Sequence, residues 1–120
     1  MWSQAWPAAD VDAVAALYAP GAVFFSHPFR PRQDVREYVA WAFADQASAE
    51  CRFGEPVVHG DRAAVEWWGA ITTRSGEVET IPGVSLLRFD EQGLVVEQRD
   101  VWASQLGAEA VALPHWAPSR

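Results

Sequence analysis

Apolar positions recur along this chain with two different spacings, and the change between them divides it into a helical part and a strand part. Val11, Val14, Leu17 and Tyr18 follow helical spacing behind Asp10, a residue suited to cap a first turn, and Pro20-Gly21 is expected to end that helix. Ala22 to Phe25 reads as a short apolar strand. The next segment holds His27, Pro28, Arg30, Pro31 and Arg32 and is too proline-rich for regular structure. Asp34 and Glu37 have capping-box spacing, which predicts a second helix running to about Ala47. Its stripe of Val35, Tyr38, Val39, Ala42 and Phe43, widened by Trp41, predicts burial on more than one side.

Beyond this helix the pattern shortens. Apolar-rich segments at 50–59, 63–73, 77–89 and 94–103 are separated by Gly60-Asp61-Arg62, Arg74-Ser75-Gly76 and Asp90-Glu91-Gln92-Gly93, residues that hairpins require. Pro82-Gly83 is expected to interrupt the third of these strands as a bulge or bend, which would let the sheet curl. The last strand contains Gln98-Arg99-Asp100-Val101-Trp102, with a lone carboxylate at Asp100. From Ser104 weak helical character extends through Ala112, followed by Leu113-Pro114-His115-Trp116. No repeat, linker or low-complexity segment appears, so residues 1–120 read as one domain.

Composition narrows the function classes. Half the residues are hydrophobic and seven are tryptophan, enough for a core without disulfides or metal. Cys51 is the only cysteine, which excludes an internal bridge and favours a reducing compartment. No apolar run approaches the ~18 residues of a membrane span, and no basic-then-apolar leader opens the chain. A cytoplasmic location and no membrane partner are therefore expected. The formal charge is −7 and all nine basic side chains are arginine. That balance argues against nucleic acid as a partner, and without lysine there is no amine for Schiff-base chemistry.

The order helix, short strand, helix, curled antiparallel meander resembles the cone-shaped NTF2-like fold, an α+β architecture with helices packed in a curled antiparallel β-sheet. Ala8-Ala9-Asp10-Val11-Asp12, Ala16-Leu17-Tyr18-Ala19 and Ala22-Val23-Phe24 resemble the opening of SnoaL-like members of that superfamily. Leu86-Leu87-Arg88-Phe89-Asp90, Gly93-Leu94-Val95-Val96 and Arg99-Asp100-Val101-Trp102 resemble their closing hairpin, so the likeness covers roughly residues 6–104. It implies a fold that hosts polyketide cyclases, ketosteroid isomerases, an epoxide hydrolase, dehydratases, transport factors and ligand-binding proteins. Where the isomerases carry their general-base aspartate, before a proline, this chain has His27 before Pro28; their oxyanion-hole residues fall near Trp2 and Ser85. The epoxide hydrolase resembles this chain at Arg99-Asp100, but its other triad members align near Glu66 and Trp68. Only Met1 to Ala5 correspond to the long first helix of the family, which implies a wider mouth or a cover made by Leu113 to Trp116.

Candidate residues follow from this frame. Asp100 is either a pocket acid raised in pKa by neighbours such as Trp102 and Trp68, or a structural residue that pairs with Arg88 or Arg99 or simply faces water. An imidazole can exchange protons near neutral pH, so His27 is either a proton carrier beside Asp100 or a loop residue before proline. Alternation in Val65-Glu66-Trp67-Trp68 sends either Glu66 and Trp68 or Val65 and Trp67 inward. Exposed faces of Trp67 and Val65 would instead make a homodimer interface. Phe24, Tyr38, Trp41, Trp68, Phe89 and Trp102 are expected to converge as pocket walls or as core, with Ser85 and Glu66 as further binding candidates. Neither HExxH nor clustered Cys/His spacing occurs, so no metal is expected, and the absence of GxGxxG and P-loop patterns removes common cofactors. Two functions remain. One is cofactor-free acid–base chemistry on an apolar or polycyclic small molecule, with Asp100 and His27 as catalytic groups; the other is a non-catalytic ligand-binding or dimerisation module.

Overall fold

The structure is a computed structural model and describes residues 9–107. Among these residues two helices, α1 (Val11–Ala15) and α2 (Val35–Ala44), pack against a mixed seven-stranded sheet. Its strands are β1 (Tyr18–Phe25), β2 (Gln46–Phe53), β3 (Val57–His59), β4 (Arg62–Thr73), β5 (Val78–Phe89), β6 (Val95–Trp102) and β7 (Gln105–Leu106). The main order is β1-β6-β5-β4-β2, with β3 on β4 and β7 on β5. All pairings are antiparallel except that of β1 with β6, which is parallel. Curled and unclosed, this sheet with its two helices is the α+β cone of the NTF2-like fold.

The caps are those expected from the sequence. The Asp10 carboxylate accepts from the backbone N–H of Ala13, and that of Asp34 accepts from Glu37 N–H. The helix ends differ, because sheet pairing captures the backbone first. The first helix stops at Ala15, and Leu17 O accepts from Val95 N at 2.9 Å as β1 begins. Pro20-Gly21 lies inside β1, where the β1–β6 register shifts between Tyr18 and Val23 and Gly21 takes φ +73°. The second helix ends at Ala44 rather than Ala47, since Gln46 already pairs with Thr73 and Arg74 Nε donates to Ala44 O at 2.9 Å.

The expected 50–59 strand is two strands, broken where Gly54 N–H bonds Glu66 O at 2.7 Å and Pro56 has no N–H to give. In contrast, Pro82-Gly83 breaks nothing. The β4–β5 register runs without a shift from Arg62↔Arg88 to Thr72↔Val78. Gly83 instead makes room: a Cβ there would lie 2.7 Å from the Trp67 ring and 2.8 Å from Trp102 Cβ.

The packed core is small and one-sided. Val14, Tyr18, Phe24, Val35, Val39, Phe43 and Val95 are buried where the helices meet β1 and β6. The apolar concave faces of β4 and β5 are largely not filled, and this is where the space inside the cone lies. Expectations placed on Trp2, Met1 to Ala5, Leu113 to Trp116 and His115 lie outside the described residues.

Candidate functional site

A cavity of about 560 Å³ occupies the cone, within the ~300–1,000 Å³ range of small-molecule sites. An evacuated core of that size is untenable. At ~24 cal/mol per Å³ it would cost on the order of 13 kcal/mol, as much as the whole ~5–15 kcal/mol stability of a domain. The space is therefore an open cleft for solvent or ligand.

Period-two alternation decides what the cleft sees. On β4 the inward positions include Val65, Trp67, Gly69 and Ile71; on β5 they include Ile81, Ser85 and Leu87; on β6 they are Gln98, Asp100 and Trp102. Trp67 pairs with Gly83, and only a glycine there accommodates the inward indole. Val65 and Trp67 are thus the concave pair, and Glu66 is exposed on the convex face. Trp68 borders the cleft, although its register partner Arg52 holds a guanidinium 5.7 Å over its ring on the opposite side.

Asp100 lies at the centre of a directional hydrogen-bond network. Trp67 Nε1–H donates to Ser85 Oγ at 2.9 Å, and Ser85 donates to Asp100 Oδ1 at 2.7 Å. From the other side the Tyr18 hydroxyl donates to Gln98 Oε1, and Gln98 Nε2 donates to the same Asp100 Oδ1 at 2.7 Å. An indole N–H can only donate, so Ser85 must pass its own proton toward the carboxylate. Oδ1 is committed to two donors, whereas Oδ2 accepts no bond from the described residues. Protonation therefore falls on Oδ2, and the network need not reorganise when the proton arrives or leaves.

Burial raises the Asp100 pKa to about 6, against the opposing hydrogen bonds from Gln98 and Ser85. Among the described residues no arginine pairs with it. Arg88 and Arg99 both turn to Glu97 on the convex face, at 3.4 and 3.3 Å. Tyr18 is pushed well above the usual tyrosine range by burial and then by the Asp100 charge, so it remains a proton donor within the network.

Phe24, Tyr38, Trp41, Ser85 and Trp102 line the cleft with Asp100. Phe24 and Tyr38 rings lie 5.1 Å apart, and Tyr38 and Trp41 rings 5.9 Å, forming an aromatic run from core to rim, where Trp41 is 66% exposed. Phe89 belongs instead to the apolar packing around the core. His27 is not among the lining residues and has no hydrogen bond to Asp100. Its Nδ1 accepts from Phe29 N–H at 3.2 Å, and its ring meets Trp102 edge-on at 4.7 Å, so it braces the β1–α2 loop. Gln98 is absent from the sequence-based candidates, and Trp67 enters them only within one of the two alternatives for the inward pair. The signal for Gln98 was available, since alternation places residue 98 on the face of residue 100. Among the described residues no group of three His, Cys, Asp or Glu side chains is placed to hold a metal ion.

The SnoaL-like domain profile matches residues 1–98. This chain belongs to the SnoaL-like domain family. Comparison with solved structures gives the same fold. The SnoaL-like domain superposes on SalBIII, an epoxide hydrolase/cyclase-like enzyme described in pyran ring formation in the polyether salinomycin, with TM-score 0.76 and 16% identity over 88% of this chain and 90% of that one. An NTF2-like protein of unknown function from Exiguobacterium gives TM-score 0.72 and 17% identity, covering 85% and 94%. A protein with a ketosteroid isomerase-like fold from Catenulispora acidiphila, in complex with trimethylamine, gives 0.70 and 16%, covering 82% and 79%. A search of curated protein sequences finds no significant match. No helix among the described residues is long and apolar enough to cross a membrane.

Proposed function

We propose that this SnoaL-like domain binds an apolar, ring-containing organic molecule in its cone and exchanges a proton with it through Asp100 Oδ2, without a cofactor. The observation that carries this reading is the Asp100 network: two donors fix Oδ1, no cation among the described residues pairs with the carboxylate, and burial brings its pKa to about 6. A base of that strength is largely ionised at neutral pH, yet basic enough to take a proton from an activated carbon and return it. Isomerisation, cyclisation and dehydration all need such a transfer. The walls of Trp67, Trp102 and Phe24 would hold the ring and exclude water from the reacting atoms.

Deuterium exchange at the activated CH₂ of 2-tetralone, followed by NMR in D₂O, tests the reading. The wild-type protein should accelerate exchange over buffer, and Asp100→Asn should lower that rate by about 10²-fold or more while keeping affinity for the ketone. Binding without accelerated exchange would leave the second reading, a non-catalytic ligand-binding module. One observation favours that alternative: among the lining residues no imidazole accompanies Asp100, because His27 is held in the loop. In either case we place the protein in the cytoplasm as a homodimer joined through the convex face, where Leu86 and Val101 are 45% and 48% exposed.

A further inference from the structure

We propose that Arg30 is an anion-recognition residue of the cleft and that the ligand carries a carboxylate, or a group of similar planar charge, beside its apolar ring. This rests on the cone being a ligand site, as proposed above. Arg30 lines the cleft from the β1–α2 loop. Four other arginines are ion-paired, Arg36 with Asp12, Arg52 with Glu50, and Arg88 and Arg99 with Glu97. Arg30 has no carboxylate partner among the described residues, in a chain of net charge −7. Its guanidinium instead lies 5.3 Å from the Trp102 ring centre and 5.8 Å from that of Trp41, between two aromatic walls of the cleft.

The position is built. Arg30 Nη1 donates to Ser26 Oγ at 3.1 Å, and Ser26, fully buried, donates in turn to Gln33. The Gln33 backbone closes the loop on Phe24 O at 2.9 Å, and Trp102 Nε1 donates to Ser26 O. One guanidinium nitrogen is thus anchored to a rigid loop, and the planar fork, which also hydrogen-bonds the Tyr38 hydroxyl, is presented beside indole faces. That arrangement suits a planar anion attached to a flat ring.

Charge along the cleft gives the ligand a direction. Trp102, beneath Arg30, and Asp100 are successive inward residues of β6, about 7 Å apart along the strand. The other acidic lining residues, Asp45 and Glu79, lie toward Ile71 and Thr73. The distance from Trp67 to Thr73 along β4 is about 20 Å. An anion is therefore drawn to the Arg30 end and repelled from the opposite one. With its charge on Arg30, a bicyclic ligand would bring its far ring edge to Asp100 Oδ2. Tyr38 sits between the two: burial raises its pKa most, the Arg30 charge lowers it and that of Asp100 raises it.

The test uses 2-naphthoate and its neutral isostere 2-naphthamide, titrated at pH 7.5 and low ionic strength with calorimetry as the readout. Wild-type protein should bind the carboxylate about tenfold more tightly than the amide. Arg30→Gln should abolish that preference while leaving amide affinity within about threefold, which also shows that the variant is folded. Arg30→Lys should keep part of the preference, as a charge without the fork. If the amide binds as well as the carboxylate to wild-type protein, or the preference survives in Arg30→Gln, the Arg30 assignment is overturned and the ligand cleft stands. If neither compound binds, the cleft reading fails and the Arg30 assignment with it.

Discussion

Asp100 couples the site to the stability of the whole domain. Its folded pKa of about 6 lies above the usual carboxylate value, so the folded state holds this proton more tightly than the unfolded chain. The stabilisation is fully present below the unfolded pKa and is lost as pH rises through about 6. A shift of this size corresponds to roughly 3 kcal/mol. Asparagine at this position can keep its oxygen toward Ser85 and Gln98 and turn its amide to the cleft, with no charge to desolvate. Asp100→Asn is therefore expected to raise the melting temperature at pH 7.5 and leave it nearly unchanged at pH 4, in thermal melts followed by circular dichroism. A variant that is less stable at both pH values would mean that the ionised carboxylate is not strained by burial. Asp100 stands out in the sequence because a carboxylate in an apolar strand needs a reason. Its environment does not, since Ser85, Trp67 and Tyr18 reach it only through cross-strand register and the parallel β1–β6 pairing.

At the scale of elements, the helix caps and three of the turns were legible because they are local chemistry. The ends of α1 and α2 were not, because long-range ladder bonds from β6 and β4 take residues 17 and 46 before their own propensities are exhausted. Pro82-Gly83 shows the same limit. As a dipeptide it reads as a breaker, yet the strand runs through it, and the glycine is needed because the Trp67 ring of the neighbouring strand lies over it. Gly83→Ala should therefore act through that indole. Its Cβ would overlap both the Trp67 ring and Trp102 Cβ, and the second of these has no rotamer by which to yield. A loss of about 1–3 kcal/mol is expected in urea denaturation, together with weaker 2-naphthamide binding as Trp67 is displaced into the cleft. Unchanged stability would place the Trp67 ring elsewhere.

For the whole molecule, the cone presents two apolar surfaces of different kinds. The concave one is enclosed by α2 and the β1–α2 loop and is supplied with the polar atoms of Asp100, Gln98 and Arg30. The convex one carries Val84, Leu86 and Val101 with no element laid over them among the described residues; Val84 pairs with Val101, and Leu86 sits beside Arg99. The proposed ligand chemistry uses the first surface and the proposed association the second, and alternation keeps them separable: every convex residue is one step out of phase with the concave set. A second copy of this chain meeting the strip would remove Leu86 and Val101 from water at both subunits, worth about 25 cal/mol per Å² of apolar area buried. The double substitution Leu86→Glu and Val101→Glu places like charges at the centre of such a contact without touching the cleft. Sedimentation equilibrium should show wild-type dimers and variant monomers, and both should bind 2-naphthamide alike. A wild-type monomer at tens of micromolar would rule out the dimer. Loss of binding in the variant monomer would mean that the two faces are coupled, so that association helps to shape the cone.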